Sequence, residues 1–254
     1  KFNKNKNYHN KNIKWINKRL EEVCLDDLKN IDIVLHFAAV GVSPQKASLK
    51  QLEFINVSES LRLLKLANEA CVKRFITTGT CLEYGAESDN WEYIPPTAEL
   101  KPLCPYSSSK AKSFKLLNKF ALQNKIEMFY GRIFSAYGEG QYKNNLWPSL
   151  KKAANSGLDF HMTNAEQIRD FIKVEEVANH LKNSLFRDDI HIGKPLVLNI
   201  GSGTAMKLKD FAKKEWLSSH AEGELIFGSL NERKYEIKRM VANINGLNHP
   251  CNFN

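Results

Sequence analysis

Ile31-Asp32-Ile33-Val34-Leu35-His36-Phe37-Ala38-Ala39 is an almost unbroken apolar run that ends in small residues. A run of this kind fills a parallel strand covered on both faces. A long helical pattern follows from about Leu49 to Ala70, with Leu52, Ile55, Leu61, Leu63, Leu64, Leu66 and Ala67 on its apolar face. Val72 to Thr80 reads as a second strand, Phe114 to Leu122 as a second helical pattern, and Glu127 to Phe134 as a third strand. Strands alternating with helices define βαβ units and hence a parallel α/β sheet. After about residue 140 the alternation becomes less regular, which predicts a smaller second lobe. Ile13 to Val23 is compatible with either a short strand or a short helix.

In open parallel sheets, ligands sit beyond the carboxyl ends of the strands. The second strand ends in Thr77-Thr78-Gly79-Thr80, which places hydroxyls there. In Pro105-Tyr106-Ser107-Ser108-Ser109-Lys110-Ala111 the tyrosine and lysine are four apart, so on a helix they share one face. An ammonium beside a phenol favours the phenolate and can bring a group of pKa near ~10 into the range of acid/base work. A Tyr and a Lys at this spacing also commonly do no more than cover surface. Thr80, Tyr106 and Lys110 together form the candidate catalytic set. His36 is read as a satisfied core histidine.

The order Thr80, then Tyr84-Gly85, then Tyr106-x-x-x-Lys110 resembles the extended short-chain dehydrogenase/reductase family of nucleotide-sugar epimerases, dehydratases and reductases. Further matches are His36-x-Ala38-Ala39, Asn56-Val57 in the first long helix, Arg132 with Tyr137-Gly138, Asn144-Asn145-Leu146-Trp147-Pro148, and Gln167 to Val174 followed by Glu176-Val177-Ala178. The resemblance implies a Rossmann-like doubly wound parallel sheet with a smaller C-terminal substrate lobe. It divides the chain into a dinucleotide domain over 1–140, which also receives part of the later chain, and a nucleotide-sugar lobe mainly over 141–254. It implies NAD or NADP held by Phe37, Ala38, Ala39, Asn56, Thr78, Tyr106, Lys110 and Phe134. It implies a nucleotide-diphosphate hexose held by Thr80, Ser135, Asn145, Leu146, Arg169 and Arg233. Ser135 stands where the family usually has Asn, and Glu176 where it usually has Asp. Arg169 suits a diphosphate because a guanidinium forks onto phosphate oxygens. A salt bridge to Asp170 or Glu176 is its alternative. The activity implied is 4-epimerisation or reduction of a 4-keto-6-deoxyhexose. Dehydration is disfavoured, because Leu82 occupies the position two after Thr80 and the acid, Glu83, comes one residue later. The family's paired long helices imply a homodimer through Leu49 to Ala70 and Tyr106 to Leu122.

The family's opening Gly-x-x-Gly-x-x-Gly turn is not found, since the first glycine is Gly41. The expectation is that the opening βαβ unit is lacking and that a chain starting at Lys1 binds dinucleotide poorly.

Composition limits the other classes. The net charge of +9 would attract any anionic partner, but no helix concentrates Lys and Arg with aromatics as a nucleic-acid reader would. No nucleic acid is therefore expected, and the rival reading is a non-catalytic RNA-binding or scaffold module on the same fold. No apolar run approaches the ~18 residues a membrane span needs, and the polar opening Lys1 to Asn7 is unlike a signal peptide. Five cysteines without a C-x-x-C pair predict reduced thiols in a cytoplasmic protein and no metal site.

Overall fold

The computed structural model describes residues 12–42, 45–232 and 236–249. Its centre is a four-stranded parallel sheet in the order β1-β2-β3-β7: β1 Ile33–His36, β2 Arg74–Thr80, β3 Glu127–Ile133 and β7 Leu196–Ile200. The register sets Ile33 against Arg74, Thr80 against Ile133, and Ile133 against Ile200.

Side chains alternate across a strand with a period of two, so neighbouring residues feed opposite layers. Phe75, Met128 and Tyr130 pack on one face with Leu63, Leu64 and Ala67 of α2 (Ser60–Glu69) and Leu117 and Ala121 of α3 (Pro105–Gln123). Ile76, Phe129, Leu198 and Ile200 pack on the other with Val177 of α5 (Val174–Asn183). Helices on both faces of a parallel sheet make the fold doubly wound, as the alternation of elements predicts.

β1 departs from the prediction that both its faces are covered. Val34 and His36 are buried, but Leu35 is 48% and Phe37 47% exposed. Among the described residues β1 is the outermost strand of the sheet, so fewer described elements reach it than reach β2 and β3.

The first long helix has a discontinuity that apolar spacing does not reveal. It runs α-helical over α1 (Leu49–Gln51), π-helical over Leu52–Glu59 and α-helical again over α2. Single π turns inside α-helices often mark functional sites. Here the widened turn presents Asn56, and the first residue of α2 after it presents Ser60, to β1 and the loop after that strand. Ser60 Oγ meets His36 Nε2 at 2.8 Å, and Asn56 Oδ1 accepts from the Val40 amide at 2.9 Å.

The remaining chain builds a second group of strands, with β10 (Arg239–Met240), β6 (Ile168–Lys173) and β4 (Ser135–Tyr137) side by side and β8 (Ala205–Lys207) antiparallel to β6. β5 (Phe160–His161) pairs with β9 (Leu225–Ile226). Leu150 and Ala154 of α4 (Leu146–Asn155) and Ala212 and Trp216 of α6 (Leu208–Leu217) close a separate core with Met162. Ile13 to Val23 forms neither a strand nor an α-helix, its one regular piece being a 3-10 turn at Leu20–Glu22. Cys24, Cys71, Cys81 and Cys104 are free thiols. Among the described residues, no helix is long and apolar enough to cross a membrane.

Candidate active site

The helix that carries Tyr106 and Lys110 starts where its sequence dictates. Pro105 occupies the first turn, where its missing N–H costs nothing, and Cys104 caps it with Sγ accepting from the Ser107 amide at 3.5 Å. The helix lies against β2 and the short turn Cys81–Glu83 that follows Thr80. Tyr106 and Lys110 are thereby brought beside the carboxyl end of β2. Thr80 caps that turn, its Oγ1 accepting from the Leu82 amide at 3.3 Å, and its hydroxyl also meets the Cys81 thiol.

Tyr106 is half-buried and Lys110 is only 6% exposed. Neither the phenol nor the ammonium makes a hydrogen bond or ion pair among the described residues. The Lys110 nitrogen has no protein acceptor yet is not among the sealed polar atoms, so water, or a ligand in its place, can reach it. Burial lowers the Lys110 pKa, opposed by the charge of Glu83.

The phenol departs from expectation. Burial, followed by the charges of Glu83, Cys81 and Cys104, pushes Tyr106 up to about 12, and Lys110 does not bring it down. Proximity along a helix does not offset removal from water together with a carboxylate beneath the site.

His36 is the core histidine predicted: it is buried, bonded to Ser60, and held down to about 4 by burial and then by Lys110. Asn56 is buried, not solvent-facing; it also donates to the Val40 carbonyl at 3.0 Å and to Ser109 Oγ at 3.0 Å. Ser109 in turn donates to the Tyr106 carbonyl at 2.7 Å, so the π turn, the loop after β1 and the Tyr106 helix are tied together.

Phe37 and Ala38 are exposed and Ala39 half-buried at the carboxyl end of β1. Gly41, in the left-handed region at φ +79°, follows them, and a Cβ there would stand 2.6 Å from Leu52 and 3.6 Å from the Tyr106 ring. Small residues with open backbone beside an unpaired phenol and ammonium fit a nicotinamide dinucleotide. Thr78 is half-buried opposite Gly131, while Phe134 is buried against Tyr84 and Cys81.

Of the residues assigned to the sugar nucleotide, Ser135 opens β4 opposite Phe171 of β6, the strand that also carries Arg169. The Arg169 charge acts on Cys81, beside Thr80, although burial dominates that thiol and pushes it up to about 12. Arg169 pairs with neither Asp170 nor Glu176. Its Nη2 meets Glu236 at 2.6 Å, a partner 67 positions along the chain. Asp170 is instead buried, its carboxylate accepting from the amides of Ser202, Gly203 and Ala242 and from Ser202 Oγ. Asn145 stands at the N-cap position of α4 without a side-chain capping bond, and Leu146 packs on the core formed by α4 and α6. Arg233 lies outside the described residues.

Spacing within single elements did not reveal one buried pair, Glu83 in the turn after β2 and Arg132 near the end of β3, which lie 2.8 Å apart. The signal available was charge in otherwise apolar surroundings at both positions.

A doubly wound sheet with a threonine at the end of one strand and a Tyr-x-x-x-Lys helix beside it defines the short-chain dehydrogenase/reductase class. The chain belongs to the NAD dependent epimerase/dehydratase family, whose model matches residues 2–201. It is 30% identical over 196 residues to a dTDP-D-glucose 4,6-dehydratase of Bos taurus, covering 75% of this chain but only 52% of that protein. It is 25% identical over 244 residues to a CDP-abequose synthase of Salmonella typhimurium, covering 93% and 77% of the two chains. Among solved structures, MoeE5 in complex with UDP-glucuronic acid and NAD matches at a TM-score of 0.78 and 26% identity, over 91% of this chain and 77% of that one.

Proposed function

We propose that the protein is an NAD(P)-dependent oxidoreductase of nucleotide-diphosphate hexoses, working as a sugar 4-epimerase or a 4-keto-6-deoxyhexose reductase. The observation that carries this reading is the pair of uncommitted polar groups, the Tyr106 phenol and the ammonium of the buried Lys110, one helical turn apart beside Thr80. The named relatives support the substrate class, because all three descriptions contain a nucleotide sugar.

The dinucleotide would be held by Phe37, Ala38, Ala39, Thr78, Tyr106 and Lys110, with the buried Asn56 and Phe134 fixing the backbone and core around it rather than touching it, and would supply or accept hydride when bound. The chain's own residues handle the proton and the geometry. Thr80 donates a hydrogen bond to the reacting sugar oxygen and orients it. Tyr106 gives a proton to a 4-keto oxygen or takes one from a hydroxyl. Its protonated resting form suits the reductive direction, and the reverse direction requires cationic charge beside it. Lys110 supplies one such charge and an ammonium for the ribose. Ser135, Asn145, Leu146, Arg169 and Arg233 hold the sugar nucleotide, with 1–140 as the dinucleotide part and 141–254 mainly the sugar-nucleotide part. A cytoplasmic homodimer joined through the two long helices completes the reading. Elimination of water is disfavoured because Glu83, the acid nearest Thr80 in sequence, is committed to Arg132 and Tyr130.

The test has two arms on the intact protein: a 4-keto-6-deoxy sugar nucleotide with NAD(P)H, and a 4-hydroxy sugar nucleotide with NAD. Net consumption of the reduced nicotinamide in the first arm identifies a reductase, and interconversion of the two C4 epimers in the second, without net reduction of NAD, identifies an epimerase. Tyr106→Phe is expected to lower kcat by about 10²–10⁴ with an unchanged melting temperature. A purified variant that turns over normally would remove Tyr106 from the mechanism.

A further inference from the structure

The Glu83 carboxylate is completely out of water and is used on both oxygens. Oε1 accepts from the Thr80 amide at 2.9 Å and from the Tyr130 hydroxyl at 2.8 Å, while Oε2 accepts from Arg132 Nε at 2.8 Å. Arg132 is 1% exposed, donates to the Pro96 carbonyl at 3.0 Å, and lies over the ring of Phe114 at 4.3 Å from its centroid. Phe114 belongs to α3, one turn beyond Lys110, and it also packs on Tyr130 with ring centroids 4.7 Å apart. The strand leaves room for this arrangement only because position 79 is glycine: a Cβ there would stand 2.3 Å from Glu83 Oε1 and 2.4 Å from the Tyr130 ring.

We propose that Glu83 and Arg132 are positioning residues of the site, a buried pair that fixes the Thr80 end of β2 against the helix carrying Tyr106 and Lys110. The proposal rests on the oxidoreductase reading for its catalytic consequence. Replacing a buried ion pair with apolar residues is often neutral or even favourable for stability, so stability alone does not explain its presence. The pair joins the two parts of the catalytic set, which arrive from segments more than twenty residues apart. Glu83 reaches the backbone of Thr80, and Arg132 reaches α3 through Phe114. The carboxylate also acts through space on both Tyr106 and Lys110, raising each.

The test compares the intact protein with Glu83→Leu/Arg132→Met, which removes both charges together, and with Phe114→Leu, which keeps the ion pair but takes away its hold on α3. Both variants are expected to melt as folded proteins and to lose about tenfold or more in kcat, with KM for the sugar nucleotide changed less than about twofold. Phe114→Tyr is expected to restore kcat. Hydrogen exchange at the Thr80 amide is expected to quicken in the double variant, and the NMR signal of labelled Tyr106 to move in both. Unchanged kcat together with an unchanged Thr80 amide and Tyr106 signal would overturn the proposal. If the intact protein acts on no nucleotide sugar, the proposed activity fails, and the amide and tyrosine signals still decide whether the pair positions these residues.

Discussion

Asn56 Nδ2 donates to Ser109 Oγ at 3.0 Å, joining two helices through residues 53 positions apart. The same amide group holds the Val40 backbone at both its N–H and its carbonyl. Asn56→Ala removes all of these bonds at once and leaves the half-buried Val40 amide and carbonyl without their side-chain partner, while Ser109 keeps its bond to Tyr106. Each such orphaned group costs about 1–3 kcal/mol, so a urea midpoint well below that of the parent is expected. The loop after β1 should loosen most, read as faster hydrogen exchange at the Val40 amide. Parental protection of that amide would show that the asparagine does not hold the loop.

Lys110 makes the opposite case, in which the proposed function and stability pull apart. The residue is buried, its ammonium has no ion-pair or hydrogen-bond partner among the described residues, and burial lowers its pKa. Methionine matches its length and removes the charge. Lys110→Met should therefore raise stability by about 0.5–2 kcal/mol while cutting turnover, the usual exchange at a site kept for function. A denaturant melt and a turnover assay on the same sample check both directions. A variant that is destabilised would mean that the ammonium is satisfied by its surroundings.

These sites show what local pattern carries and what it does not. The alternation of strands and helices, the shared helical face of Tyr106 and Lys110, and the core role of His36 follow from periodicity and side-chain chemistry within short segments. The π turn was hidden because apolar residues at helical spacing look alike whether one turn is widened or not. The ion pairs of Arg132 with Glu83 and of Arg169 with Glu236 depend on strand register and on chain return from far away, which no single segment encodes. The raised pKa of the Tyr106 phenol is illegible in the sequence for a related reason. Its spacing from Lys110 was visible, but its burial and the carboxylate of Glu83 belong to the tertiary structure.

His36 gives the fold a definite pH dependence. Burial, and then the charge of Lys110, holds its folded pKa at about 4, against about 6.5 for an unperturbed histidine. Between these values the unfolded chain binds the extra proton and the folded chain does not. Stability from this group is therefore fully present above about pH 6.5, is lost as pH falls toward 4, and declines no further below that. The gap corresponds to on the order of 3 kcal/mol. His180, also lowered by burial, adds in the same direction. The carboxylates of Glu166 and Asp27, held down to about 2 by their lysine partners, give way only at lower pH, so the histidine window stands apart from theirs. His36→Phe should flatten the stability curve from pH 6.5 to about 4.5 while leaving the steeper acid limb in place. Urea melts at several pH values measure this directly. A wild-type curve already flat over that interval would show that the imidazole reaches water and is not held neutral by the core.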